Sequence, residues 1–198
     1  MDTMEKNSTT PTTDKKPAFS TKSLTMMALF AAILCVSAYA SIPTPLPGSP
    51  HITLLNFVII LVALLFPTVQ SFLIILVWML LGALGIPVFI GGGAGIGYLA
   101  SPFGGYTVSF LLIALVLPLI RGKKYNRICY TITAIIGVIL IDLVGMIWLQ
   151  ISNNLALKYA FATGFVPFIP LDLLKAIVAA QIIPPFRKII IGEQFPIQ

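Results

Sequence analysis

Residues 23–120 read SLTMMALFAAILCVSAYASIPTPLPGSPHITLLNFVIILVALLFPTVQSFLIILVWMLLGALGIPVFIGGGAGIGYLASPFGGYTVSFLLIALVLPLI. These 98 consecutive positions hold no Lys, Arg, Asp or Glu. A water-facing surface cannot be built from such a stretch, whereas a lipid-facing one can. The rest of the 198-residue chain agrees: 58% of all residues are hydrophobic and 9% are charged. Soluble domains carry about 25% charged residues. Intrinsic disorder, a disulfide scaffold and a nucleic-acid-binding domain are excluded by the same arithmetic. The net charge of +6 comes from basic residues at the ends of apolar runs, which is a topology signal.

A membrane-spanning helix needs about 20 apolar residues. The chain therefore accommodates about six, and the expected fold is an all-α integral membrane protein. It is a bundle of about six transmembrane helices with structured outer loops. Residues 1–22 are polar and form a cytoplasmic tail, 23–188 the membrane domain, and 189–198 a second cytoplasmic tail. Spans are predicted over 23–41, 51–66, 68–84, 104–120, 128–151 and 170–186. Pro43, Pro45, Pro47 and Pro50 enforce an extended loop between the first two. A glycine-rich apolar segment, Gly85 to Gly97, joins the third and fourth. No phosphate-binding GxxxxGK[ST] loop is present, so any use of ATP falls to partner subunits. Cys35 and Cys129 lie in apolar runs and read as small buried hydrophobes rather than a disulfide. With His51 the single histidine, no metal site is expected, and no cofactor is expected to be bound by the chain.

The basic residues test this layout. With the N-terminus inside, Lys6, Lys15, Lys16, Lys22, Arg121, Lys123, Lys124, Arg127, Arg187 and Lys188 fall on the cytoplasmic side, 10 of the 12. Lys158 lies outside and Lys175 within a span. Both termini are thus expected in the cytoplasm. The proline-rich loop, the glycine-rich loop and the 152–168 connection gather on the outer face, where long structured loops carry function.

Three charged residues fall inside predicted spans: Asp142, Asp172 and Lys175. An ion at bilayer depth costs several kcal/mol unless it is paired or faces a wet cavity. Asp172 and Lys175 are three positions apart, about 300° around a helix, and share a face. Pro170 suits a first helical turn, which places Asp172 among the orphan N–H groups of that turn. The pair therefore borders a pocket open to the outer face. Asp142, mid-span beside Gly145, is a further candidate. In the charge-free stretch, recognition is limited to backbone, Ser, Thr, Asn and aromatic groups. The candidates there are Asn56, Phe89, Gly92 in the glycine-rich loop, and Tyr106. Trp148 lies toward the outer end of its span and is a possible reporter on the pocket. Ala28 and Ala32 form a small-xxx-small pattern that lets helices approach closely.

Several segments in order carry a resemblance. They are Met27-Ala-Leu-Phe-Ala-Ala32, Ile52-Thr-Leu54, Gly82-Ala-Leu-Gly-Ile-Pro-Val-Phe89, Pro102-Phe-Gly-Gly-Tyr106, Gly145-Met-Ile-Trp-Leu149 and Pro167-Phe-Ile-Pro-Leu-Asp-Leu-Leu-Lys-Ala176. Together the chain resembles the BioY family, the biotin-specific substrate-binding (S) subunits of energy-coupling factor (ECF) transporters. The resemblance implies a six-helix bundle in a prokaryotic plasma membrane that captures biotin at its outer side. It implies partners too: a membrane scaffold subunit and two cytosolic ATPases that use the ATP. It assigns Asp172 and Lys175 to the substrate site, and Ala28 and Ala32 to the face that docks on the scaffold. Lys175 suits the biotin carboxylate and Asp172 the ureido N–H groups. Family members often have Gly at the position of Leu171 and Gln at that of Leu55. They commonly have an uncharged or aromatic residue at that of Asp142.

An S subunit for another vitamin is the alternative among ECF transporters, and two other classes compete. A self-sufficient secondary transporter or channel usually shows internal repeats with paired broken helices, and no repeat relates residues 23–103 to 104–188. An intramembrane enzyme needs a nucleophile–base pair or metal cluster, for which the chain lacks the residues.

Overall fold

The computed structural model describes residues 20–43, 51–122 and 124–191, with side chains through Arg187. Of the tails expected over 1–22 and 189–198, residues 1–19 and 192–198 lie outside the described residues, as does most of the proline-rich loop, while 21–22 and 189–191 are helical. Six long helices form the bundle: α1 (Thr21–Ser37), α2 (Leu55–Leu65), α3 (Thr68–Ala83), and then α5 (Gly104–Ile120), α6 (Arg127–Asn153) and α8 (Ile169–Ile191). Two short helices, α4 (Ile96–Ala100) and α7 (Leu157–Gly164), sit in the connections before α5 and before α8. Strands β1 (Ser41–Ile42) and β2 (Ile52–Thr53) pair antiparallel, Ser41 opposite Thr53 and Ile42 opposite Ile52.

Helix α2 occupies the centre, packed against α1, α3, α5, α6 and α8. Its segment is apolar all round, and every residue from Val58 to Phe66 is buried. A helix enclosed on all sides has no polar face to present, which is why it reads as uniformly hydrophobic. At 11 residues it is about 16 Å long, too short to cross a bilayer alone. The span predicted over 51–66 is thus corrected at its N-terminal end. Ile52 and Thr53 are drawn into the ribbon, and the Thr53 hydroxyl accepts the Leu55 N–H at 3.0 Å, so the helix starts late. That late start leaves a recess above α2 on the loop-bearing side.

The other boundaries follow local chemistry. Ser20 caps α1, its Oγ accepting from Ser23 N at 3.2 Å. The Asn126 side chain accepts from Ile128 N and Cys129 N and starts α6, and Asn154 ends it in the left-handed conformation. Arg121 closes α5 and donates to the Phe66 carbonyl at 2.8 Å, tying together the C-terminal ends of α5 and α2. The connection over 152–168 is not plain loop, since it contains α7. Helix α8 runs beyond the predicted end at 186 to Ile191, and Arg187 donates to the Tyr130 hydroxyl at 2.9 Å. Cys35 and Cys129 are free thiols, half-buried rather than buried as the sequence suggested.

Helices α1, α3 and α5 have 17, 16 and 17 residues, while α6 and α8 are long and apolar enough to cross a membrane. Large apolar side chains such as Leu29, Val36, Val69, Leu80, Ile128 and Ile132 point outward. In water such a surface would be a liability; in lipid it is the solvent-facing side.

Candidate functional site: a cavity above the central helix

The recess above α2 is a cavity of about 210 Å³. His51, Thr53 and Asn56 form one wall, Ile90, Tyr98 and Phe103 another, and Tyr106, Asp142, Phe168 and Asp172 the rest. Its character is aromatic, with a few convergent polar groups, as in small-molecule sites.

The polar centre is Asp172, 3% exposed. Its N–H bonds the Phe168 carbonyl at 2.9 Å, so the first turn of α8 fixes its position. Lys175 Nζ stands 2.7 Å from Asp172 Oδ1 and also donates to the Thr53 carbonyl at 2.8 Å. Asn56 Nδ2 donates to Asp172 Oδ2 at 3.1 Å. The carboxylate is thus paired with one cation and one amide, which offsets the cost of burying it. Each carboxylate oxygen keeps acceptor capacity for a ligand N–H, and the Asn56 amide keeps a second N–H.

The aromatic walls are held from behind by glycines. Tyr106 packs on Gly145, where an added Cβ would meet the ring at 2.1 Å, and its hydroxyl donates to the Gly164 carbonyl at 2.5 Å. Tyr98 stacks on Phe89 with centroids 4.9 Å apart, and Phe89 meets Trp78 edge-on at 5.3 Å. Burial pushes the Tyr98 phenol above its ordinary value. Gly91 and Gly92 both adopt positive φ, which lets the chain reverse beside His51.

A profile of the BioY family matches residues 7–191. The chain belongs to the BioY family. The similarity extends along most of the sequence. The chain is 36% identical over 157 residues to the biotin transporter BioY2 of Lactococcus lactis subsp. cremoris, covering 79% of this chain and 85% of that one. It is 37% identical over 162 residues to the probable biotin transporter BioY of Pyrococcus horikoshii, covering 81% and 93%. A crystal structure at 2.1 Å of the S-component for biotin from an ECF-type ABC transporter superposes with a TM-score of 0.78. That match has 27% identity and covers 86% of this chain and 95% of the other. The BioY chain is accordingly a membrane transporter component, not an enzyme.

Within this BioY fold, Asn56, Tyr106, Asp142 and Asp172 meet at one cavity. The other sequence candidates sit around it. Lys175 stands behind Asp172, its ammonium taken by Asp172 and Thr53. Phe89 is fully buried and backs Tyr98 rather than lining the cavity. Gly92 lies in the turn facing Tyr39, off the lining. Trp148 is 38% exposed, packs on Gly105 and donates to the Ser101 carbonyl at 3.0 Å, so it braces the start of α5 outside the lining. Ala28 and Ala32 are exposed on one outward face of α1.

Sequence reasoning missed His51, Thr53, Ile90, Tyr98, Phe103 and Phe168 as lining residues. Phe103 and Phe168 lay inside motifs already noted, next to Gly104 and Pro167, and His51 was the single histidine. Tyr98 carried no signal, since its place depends on how the glycine-rich segment folds back. Among the described residues no cluster of His, Cys, Asp or Glu could hold a metal.

Proposed function

We propose that this chain captures biotin at the outer face of a prokaryotic plasma membrane and delivers it for uptake within an ECF transporter. The observation that carries this reading is the buried Asp172, held by Lys175 and Asn56 at a cavity that Tyr98, Phe103, Tyr106 and Phe168 also line. A ureido ring needs acceptors for its N–H groups and a donor for its carbonyl, and Asp172 with Asn56 offers both. Tyr98, Phe103, Tyr106 and Phe168 offer apolar surface to the thiophane ring and the aliphatic tail. Family membership and the names of the relatives support the choice of biotin.

The distribution of basic residues supports an orientation with both termini in the cytoplasm and the cavity outside. The chain has no nucleotide-binding loop, so any use of ATP in uptake falls to partners. We assign these to a membrane scaffold subunit and two ATPases, docked on the α1 face that bears Ala28 and Ala32. On that face the small side chains let a partner helix approach closely.

Calorimetry on the purified full chain tests the reading, with biotin as ligand and thiamine and riboflavin as controls. Saturable binding of biotin alone is expected. Binding of another vitamin without biotin overturns it. In liposomes the chain alone should hold biotin without sustained uptake; sustained uptake would favour a self-sufficient transporter.

A further inference from the structure

Asp142 is the buried carboxyl that the Asp172 cluster leaves unexplained. It is 1% exposed, lies in the middle of α6, and lines the same cavity as Asp172. Its Oδ2 has no hydrogen-bond partner. A buried, unsatisfied carboxyl oxygen is costly and marks a position where a partner is expected to arrive. The obvious cation nearby is committed, since Lys175 Nζ already bonds Asp172 Oδ1 and Thr53 O. Helix α6 packs along α8, so the two carboxyls approach the cavity from different helices. Around it the lining combines Tyr98, Phe103, Tyr106 and Phe168 with the polar His51, Thr53 and Asn56, none of which bonds Asp142 Oδ2, and His51 Nδ1 is likewise without a partner.

A cyclic urea carries two N–H groups that diverge on either side of one carbonyl. One carboxylate cannot face both N–H groups and the carbonyl together. Two acceptors from different directions, and one donor between them, are the complementary set. Asp172 from α8, Asp142 from α6 and the spare N–H of Asn56 from α2 make up that set. We propose that Asp142 is a ligand-contacting specificity residue whose free oxygen accepts the second ureido N–H of the bound biotin. This rests on the biotin reading above and deepens it.

The test uses the purified full chain, biotin, and two biotin derivatives, each methylated on one ureido nitrogen. In the wild type, methylation of either nitrogen should weaken binding at least tenfold. D142L, which removes the acceptor but keeps an apolar volume, should lose tenfold or more in biotin affinity. D142N, which retains a carbonyl oxygen, should bind within about threefold of wild type. One of the two methylated derivatives should bind D142L no more weakly than biotin does, because its missing contact is already gone. The proposal is overturned if a thermally stable D142L binds biotin like the wild type. It is overturned equally if wild type tolerates methylation at one nitrogen, a result that needs no variant to fold. Absence of biotin binding by the wild type would instead overturn the proposed function itself.

Discussion

Lys175 reaches Asp172 at 2.7 Å one turn back along α8, and the same ammonium holds the carbonyl of Thr53 at 2.8 Å. Its side chain is 19% exposed while that of Asp172 is 4% exposed. The lysine therefore neutralises the carboxylate from behind and ties α8 to the ribbon strand β2. Lys175 stands off the cavity lining, so in the proposed site its part is to position Asp172, rather than to meet the biotin carboxylate as the sequence suggested.

Removing the lysine should cost more than one contact. Breaking a buried ion pair from one side leaves an uncompensated charge, worth 3–5 kcal/mol when fully buried. Partial exposure of Lys175 reduces this to about 2 kcal/mol. K175A should melt at a lower temperature and bind biotin at least tenfold more weakly. A double variant D172N/K175M should recover the melting temperature of the fold without recovering binding. Thermal unfolding and calorimetry on the same samples separate the two effects, and full binding by the double variant would contradict the role given to Asp172.

Asn56 supplies the amide that orients Asp172 from α2. N56L should lower biotin affinity about tenfold, the value of one hydrogen bond to a charged group at roughly 1.5 kcal/mol. Its melting temperature without ligand should change less than that of K175A. An unchanged dissociation constant would remove Asn56 from the site.

Tyr98 and Phe89 stack on each other but do different things. Tyr98 faces the cavity, and Y98A should weaken biotin binding about tenfold, a loss of roughly 1.4 kcal/mol of aromatic contact. Phe89 is enclosed by Trp78, Tyr98 and Gly82. F89A should leave a cavity and cost about 3 kcal/mol of stability. The ratio of affinity loss to stability loss, read by calorimetry and thermal unfolding, should be higher for Y98A.

Gly145 touches the Tyr106 ring so closely that an added Cβ would stand 2.1 Å from it. G145A should push the ring into the cavity, costing 1–3 kcal/mol of stability and lowering affinity. Y106F keeps the ring and loses only the bond to the Gly164 carbonyl, about 1 kcal/mol. Its biotin affinity should stay within a few fold of wild type.

The proposed role of Ala28 and Ala32 concerns partners, not the ligand. Both are exposed and remote from the cavity lining. A28L/A32L should bind biotin as the wild type does and fail to copurify with scaffold and ATPase subunits. Normal copurification would remove this face from the docking surface.

The sequence by itself determined the fold class and the order of the six long helices. Absence of charge over 98 residues leaves few alternatives to lipid as solvent, and the prolines, glycines and basic turns punctuate the spans. The start of α5 at Gly104 and of α3 at Thr68 fell where the turn residues placed them. It also marked Asp172 and Lys175, because a charge inside an apolar run needs a reason. What it could not give was the meeting of Asn56 with Asp172, 116 positions away, or of Lys175 with Thr53, 122 positions away. Those contacts depend on α2 lying at the centre and starting late. The late start comes from strand pairing between segments on either side of the proline-rich loop. Phe89 shows the same limit from the other side: an aromatic residue beside a glycine-rich loop is expected at a pocket, yet packing put Tyr98 in front of it. Local patterning reports what each segment is dissolved in, whereas which side chains share one cavity is decided by how the segments pack.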